Sequence, residues 1–333
     1  MQFKIVSTRK ATSHILAHTI KLKSLVIRKG MILDSEKISL LIKNNINQIY
    51  VAIKEKNDYS ENLSAKLVAE HIAPNSLFKI IISNGRADIF SRIEGLLNIN
   101  KDKLIKINTK QRNIAICTLK NYSIITTSQL VGNVKVLPYA IDKKVILKIT
   151  KDISTKRIFQ ISRKTIQKVA IIFTANNIRN INKIKILNAV NSRLDKFNLK
   201  INTAKYCKHN HKVLSAKIKE ISKENIDLIL IYGETSISDS SDVVPKSIID
   251  IKGKVISSLM PTDPGNLLLI GHFKKMIIIG VPGCAKSLKR NGFDDILERV
   301  CHGEKFNKKK IAEIADGGLY KDIIRKFEEH SEK

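Results

Sequence analysis

The chain has no tryptophan, and aromatic residues make up only 5% of it. Stacking platforms for single-stranded nucleic acid are therefore poorly supplied. Cysteine is scarce: Cys117, Cys207, Cys284 and Cys301 are widely spaced, with no CxxC pair. A disulfide framework or a cysteine-rich zinc module is not expected, and the thiols read as reduced. No apolar run approaches the ~20 residues that cross a bilayer. The opening stretch MQFKIVSTRKATSHILAHTIKLK has scattered charges and no continuous apolar core of the kind a secretory leader needs. A cytoplasmic chain without a membrane segment is the expectation. No Walker pattern G-x-x-x-x-G-K-[ST] occurs, so a nucleotide P-loop is not supported. There is no internal repeat and no low-complexity block. Acids are outnumbered, 30 Asp and Glu against 60 Lys and Arg, for a formal net charge of +30. Such a charge ordinarily points to nucleic acid. Here the basic residues are spread along the whole chain, largely as Lys beside Ile and Asn. The simplest reading is compositional drift; a general attraction for anionic ligands, phosphorylated ones included, and a basic nucleic-acid binder are the lesser alternatives.

What is present is a core. Hydrophobic residues are 43% of 333, enough for two or three domains. The stretch 226–292 organises the rest. Three short apolar runs lie in it, at 226–232, 254–259 and 276–281. Each is followed by turn-forming residues: GETSISDSSD, MPTDPGN and PGCAKSLKRNG. Runs of this length read as buried strands of a parallel sheet. As parallel neighbours they would open all three loops at one carboxyl edge, where open α/β sheets bind ligands.

Taken in order, residues 1–57 read as a small β-rich module. Asp34 is expected to cap a helix over 35–43, followed by a strand over 48–53. Residues 58–150 read as an α+β unit. Ser60 caps a helix over 61–71, and 77–82 is a strand. Asn84-Gly85-Arg86 turns the chain into a helix over 87–97, a place where backbone N–H groups can hold an anion, although an ordinary tight turn reads as well. Strands are expected over 113–118, 124–136 and 145–149, with Gly132 marking a bulge or close backbone approach. The basic stretch 151–167 reads as a linker. Residues 168–303 alternate strands and helices, which predicts a doubly wound, mostly parallel α/β sheet. A helix over 184–197 would face Ile184, Leu187, Val190 and Leu194 inward. Short helices over 311–315 and 319–327 make up a charged tail, 304–333.

The loop from Gly233 to Pro245 is dense in hydroxyls and carries the carboxylates Asp239 and Asp242. Hydroxyls and free backbone N–H groups suit a phosphate, and neighbouring acids suit Mg²⁺, which is held through one or two carboxylates plus phosphate oxygens. Equally, Asp242 stands where it could cap the helix that Pro245 begins. The turn Met260-Pro261-Thr262-Asp263-Pro264-Gly265-Asn266 is rigid. In Gly280-Val281-Pro282-Gly283-Cys284-Ala285-Lys286-Ser287, Gly283 permits close backbone approach, and Lys286, Lys289 and Arg290 supply positive charge. Cys207, His209 and His211 could share a face in an extended segment, as metal ligands would, or lie in a solvated loop. Cys284 reads as a small buried thiol rather than a nucleophile.

Three of these stretches together resemble the molybdopterin-binding domain shared by molybdopterin adenylyltransferases and molybdotransferases. GETSISDSSDVVP is similar to its hydroxyl-rich loop ending in Asp-Val-x-Pro. MPTDPGNLLLIG is similar to its Pro-Gly-Lys-Pro turn, and GVPGCAKS to its Gly-Leu-Pro-Gly-Asn-Pro-x-Ser. Order and spacing agree over about residues 168–303, and residues 14–53 resemble the segment that precedes this domain in the molybdotransferases. The resemblance implies Asp242 as the catalytic acid at the phosphate and Mg²⁺ end of the pterin, with Asp239 as a second Mg²⁺ ligand. Gly233, Thr235, Ser236, Ser238, Asp239, Asp263, Pro264, Gly265, Asn266, Pro282, Gly283, Lys286 and Ser287 would bind or shape the pterin pocket.

The sequence also departs from that pattern. Glu234 stands where the family has a glycine. The segment 207–213 holds no Asp or Glu, where the adenylyltransferases carry a second acid, and the molybdotransferases' Ser-Ala-Met-Asp-Gly-Tyr-Ala motif is missing. The resemblance therefore implies a cytoplasmic bacterial molybdenum-cofactor biosynthesis protein that binds molybdopterin or its adenylylated form. As an enzyme it would be a transferase inserting molybdate with Mg²⁺ and releasing AMP. The alternative is a non-catalytic carrier or maturation factor serving a molybdoenzyme or other biosynthesis proteins. A homo-oligomer is expected by the same resemblance.

Overall fold

The computed structural model describes residues 1–22, 25–153, 157–177, 179 and 181–320. The chain divides into two compact units, Met1–Ser162 and Arg163–Lys333.

The first unit holds two separate hydrophobic cores. One packs the helix Ser35–Lys43 over a three-stranded antiparallel sheet, ordered Gln2–Ser7, Gln48–Ile53, Ile15–Leu16. Asp34 caps that helix as expected, accepting the Lys37 N–H at 2.9 Å. The other core lies beneath a four-stranded antiparallel sheet, ordered Ile114–Thr118, Leu130–Val136, Arg86–Ser91, Phe78–Ser83. The helix Glu61–Ile72, capped by Ser60, packs against it. Gly132 marks a break in register between its strand and the next. A Cβ there would stand 2.5 Å from the Cys117 carbonyl and 2.7 Å from the Phe159 ring, so glycine is required by close approach.

Three expectations fail in this unit, the first being the strand over 124–136, which is broken into Ile124–Ile125 and Leu130–Val136 in two different sheets. Residues 86–91 form a strand, not the start of a helix, and pair antiparallel with Phe78–Ser83. Asn84 and Gly85 both have positive φ (46° and 68°), the geometry of a two-residue hairpin turn, for which Asn-Gly is the strongest signal. The buried alternation of Ala87, Ile89 and Ser91 follows a period of two. With no helix after the turn, the anion-holding reading of Asn84–Arg86 falls. Conversely, residues 145–149 lie inside the helix Lys143–Ile153, where Ile146 and Ile149 turn inward at a spacing of three. Beyond it, Phe159–Ser162 is a strand paired with Gly95–Ile99.

The second unit is built on a six-stranded sheet ordered Ile201–Cys207, Val169–Thr174, Leu228–Gly233, Met276–Gly280, Leu269–Phe273, Lys254–Ser257. The first four run parallel. Alternate residues of each strand enter different cores on the two faces. Ile171, Phe173, Leu228, Leu230 and Ile279 pack with the helices Lys183–Leu194 and Gly292–Cys301. Ala170, Ile172, Ile229, Ile231 and Ile278 pack with His211–Ile221 and Val243–Asp250. The sheet is covered by helices on both sides and is doubly wound, mostly parallel α/β.

The three apolar runs are not neighbours throughout. Leu269–Phe273 intervenes and pairs antiparallel with both Met276–Gly280 and Lys254–Ser257. Two reversals restore the direction, so all three runs still end at one edge. Lys254–Ser257 is an outer, half-exposed strand rather than a buried one. In the helix Lys183–Leu194 the inward face is Ile186, Ala189, Val190, Arg193 and Leu194, and Ile184 is 75% exposed. A short helix, Lys308–Ala312, extends as a tighter turn through Ala315. Of the helix expected over 319–327, residues 321–327 lie outside the described residues. Leu319 forms a parallel bridge to Asp263 instead.

Candidate functional site

The chain enters the sheet at Val169–Thr174, moves to the edge at Ile201–Cys207, then returns to the other side at Leu228–Gly233. The order reverses between Val169–Thr174 and Leu228–Gly233. Connections leaving such a pair diverge to opposite faces and leave a crevice beyond the carboxyl ends. Here Thr174 stands opposite Gly233 on one side and Cys207 on the other.

Several side chains cross this gap. Thr174 is fully buried. Its hydroxyl donates to the Lys208 carbonyl at 3.3 Å and lies 3.2 Å from Nδ1 of His209. Nε2 of the same ring is 3.1 Å from Oγ1 of Thr235. Glu234 reaches back across the gap, its Oε2 accepting the Asn176 N–H at 2.8 Å. The bulk that replaces the expected glycine is thus tied to the loop after the first strand.

Beyond Thr235 the loop closes on itself. Asp242 occupies the residue before the helix Val243–Asp250 but makes no side-chain cap bond. Its Oδ2 turns back and accepts the N–H groups of Ser238 at 2.5 Å and Asp239 at 3.0 Å. The capping reading of Asp242 is therefore right in position and wrong in contact. Asp239 Oδ1 accepts the Ser241 N–H at 2.6 Å and its hydroxyl at 2.5 Å. These bonds, the hydroxyl first, hold the Asp239 carboxyl below its ordinary range. Ile237 anchors the loop over the end of the neighbouring strand; its Cδ1 lies 2.6 Å from where a Cβ on Gly280 would be.

The loop after Gly280 is fixed from below. Pro282 is buried, whereas Gly283, Lys286 and Ser287 are exposed. Nothing lies within 4 Å of the position a Gly283 Cβ would take, so this backbone faces open space. Beneath it Arg193 is buried, bonded through Nε to Asp294 Oδ1 at 2.9 Å. Its other nitrogens donate to the carbonyls of Ala285 at 3.1 Å and Ser287 at 2.8 Å. Sequence reasoning missed this arginine: at helical spacing it sits among apolar residues, and nothing in the pattern distinguishes an inward guanidinium. Arg290 is occupied by Glu298, at 2.7 Å through both nitrogens, and by Asp295. Lys286, Lys289 and Arg290 are all exposed. Burial, with Asp263 adding to it, pushes the Cys284 thiol up, which agrees with an unreactive cysteine.

The turn at Asp263–Asn266 serves the framework. The Asp263 N–H donates to the Gly318 carbonyl at 2.8 Å, and the Gly292 N–H donates to the Pro264 carbonyl at 3.0 Å. Gly265 has φ +119°, and a Cβ there would stand 2.7 Å from the Gly292 nitrogen. A separate hollow of about 420 Å³, lined by Ile256, Leu259, Met260, Pro261 and Ile311, shares no residue with the switch point. Its lining is mostly apolar, with Ser257 and Lys308 as its polar members.

Cys207, His209 and His211 do not converge. Cys207 is buried at its strand end, His209 spans Thr174 and Thr235, and His211 Nδ1 meets Asp250 Oδ2 at 2.5 Å. Among the described residues no group of three or more His, Cys, Asp or Glu is placed to hold a metal.

No family model matches the chain, and no curated protein matches it. Solved structures do. The molybdopterin biosynthesis MoeA protein from Pyrococcus horikosii is 13% identical, over 85% of this chain and 70% of its own, with a TM-score of 0.26. The Mog protein from Mycobacterium ulcerans is 16% identical over 40% of this chain and 92% of its own, with a TM-score of 0.30. A molybdenum cofactor biosynthesis protein B is 15% identical over 46% and 94%, also with a TM-score of 0.30. Likenesses of this size carry neither an activity nor a residue role across.

Proposed function

We propose that the carboxyl edge of the second unit binds molybdopterin, or its adenylylated form, through the phosphate end of the ligand, and that the chain serves molybdenum-cofactor biosynthesis. One observation carries this reading. The N–H groups of Ser238 and Asp239 converge on a single anionic oxygen, that of Asp242. A carboxylate oxygen there stands in for a phosphate oxygen, and the same loop offers the hydroxyls of Thr235, Ser236 and Ser238. The residues present fit a phosphate group. Gly283 leaves room for the body of a ligand, and Lys286 adds charge. A phosphate taking the two N–H groups would free the Asp242 carboxylate beside it. Asp242, with Asp239, would then be placed to share Mg²⁺ with the phosphate oxygens.

Expressed in a host that makes molybdopterin, the purified chain is expected to carry near-stoichiometric pterin, read as fluorescence after oxidation. Absence of pterin from both a wild-type host and one accumulating the metal-free form would overturn the reading. Whether the chain catalyses molybdate insertion is tested with adenylylated pterin, molybdate and Mg²⁺. AMP release that is lost in Asp242→Asn would support a transferase with Asp242 in its mechanism.

A specific observation favours a carrier instead. The segment before the helix His211–Ile221, where the resemblance calls for a second acid, delivers the His209 imidazole to Thr235 and no carboxylate. Bound pterin without AMP release would support that reading.

A further inference from the structure

The His209 ring joins a fully buried threonine to an exposed one across the switch point. Thr174 lies on one side, at 3.2 Å from Nδ1, and Thr235 on the other, at 3.1 Å from Nε2. A hydroxyl has one proton to give, and a neutral imidazole has one N–H and one acceptor nitrogen. The Lys208 carbonyl, 3.3 Å from the Thr174 hydroxyl, can only accept, and the resting arrangement taken here gives it that proton. Its oxygen then faces Nδ1 with lone pairs, which calls for the ring proton on Nδ1. Nε2 is left as an acceptor and takes the proton of Thr235. In that state Thr235 shows only lone pairs to its surroundings, and an oxyanion gains nothing from it.

We propose that His209 is a positioning residue for the ligand edge: a proton on its Nε2 turns the Thr235 hydroxyl outward as a donor to an oxyanion. The contact with Thr235 reverses, Nε2–H donating to Oγ1, while the threonine proton is released to the ligand. Two routes place that proton. A proton taken from solvent occupies Nε2 directly. Alternatively Thr174 rotates to donate to Nδ1, and the ring changes tautomer. The second route is open because the Lys208 carbonyl keeps the Asn210 N–H at 2.8 Å. Either way Thr235 then meets acceptor oxygens, whereas in the resting state it meets donors. This rests on the reading that the loop holds a phosphate group.

The test uses sulfate, a tetrahedral oxyanion whose own charge is constant across neutral pH, and the full chain labelled with ¹⁵N in its histidines. Binding is followed at the Ser238 and Asp239 amides, and the ring state at the His209 nitrogens. Saturation with sulfate is expected to move Nε2 from the unprotonated to the protonated range. His209→Leu keeps the Thr235 hydroxyl but leaves its proton undirected, and should weaken sulfate severalfold, up to about tenfold. His209→Gln, which can place an amide N–H near the same point, should recover most of that loss. Recovery by glutamine together with a protonated Nε2 is not expected of a residue that merely fills space. Sulfate binding with Nε2 unchanged, or equal affinity in His209→Leu, would overturn this proposal and leave the phosphate reading standing. No sulfate binding to the wild-type chain would overturn both.

Discussion

Two loops at the same edge are held in opposite ways. The loop after Gly280 is fastened from inside: the buried Arg193 gathers its carbonyls and pairs with the buried Asp294. The loop after Gly233 has one buried anchor, Ile237, and beyond it is held by bonds among Ser238, Asp239, Ser241 and Asp242 that water can compete for. The first therefore acts as a fixed wall. The proposed phosphate would replace the internal carboxylate of the second at modest cost, because the bonds lost and gained are of one kind.

Breaking the wall should have the largest effect. Arg193→Ala leaves Asp294 buried without its partner and strands two carbonyls, and should cost about 3–5 kcal/mol in chemical denaturation. Gly265→Ala forces a side chain into a positive φ and against Gly292, and should cost about 1–3 kcal/mol by the same measurement. Asp242→Ala should change global stability by less than about 1 kcal/mol. It should nonetheless speed hydrogen exchange at the Ser238 and Asp239 amides by an order of magnitude or more. If Asp242→Ala proved as damaging as Arg193→Ala, the contrast between the loops would be gone. Cys284, raised by burial under the wall, should react with iodoacetamide more slowly than the exposed Cys117 at neutral pH. The smallest effect concerns Asp239. Its carboxyl is held low by Ser241, so its contribution is present above the ordinary carboxylate range, about pH 4. That contribution is lost as pH falls through the lower folded value. Acid titration of the Ser241 amide should show that midpoint below the ordinary one, and Asp239→Asn should abolish it.

The sequence was most readable where local chemistry and periodicity agree. Asp34 and Ser60 cap their helices because the cap contact spans only three residues. The central strands are legible because they are apolar on both faces. The helix expected after Gly85 gives way to a strand because ADIF is compatible with either period and the Asn-Gly turn decides for a hairpin. The strand Leu269–Phe273 was hidden in what looked like the tail of a turn. At the site, the hydroxyl-rich loop could be seen from composition. The bridge from Thr174 through His209 to Thr235 could not, because its members are 35 and 26 residues apart and only strand order brings them together. Thr174 at the end of a buried strand was the available signal.

The two borders of the six-stranded sheet also bear on how copies of this chain could meet. One border strand, Ile201–Cys207, carries Lys205 and is bracketed by Lys200 and Lys208; the other is only four residues long and begins with Lys254. Short strands and lysines along a border discourage strand-to-strand joining, since each new pairing would bring like charges together. These two borders therefore disfavour a continuous sheet running from one copy into the next.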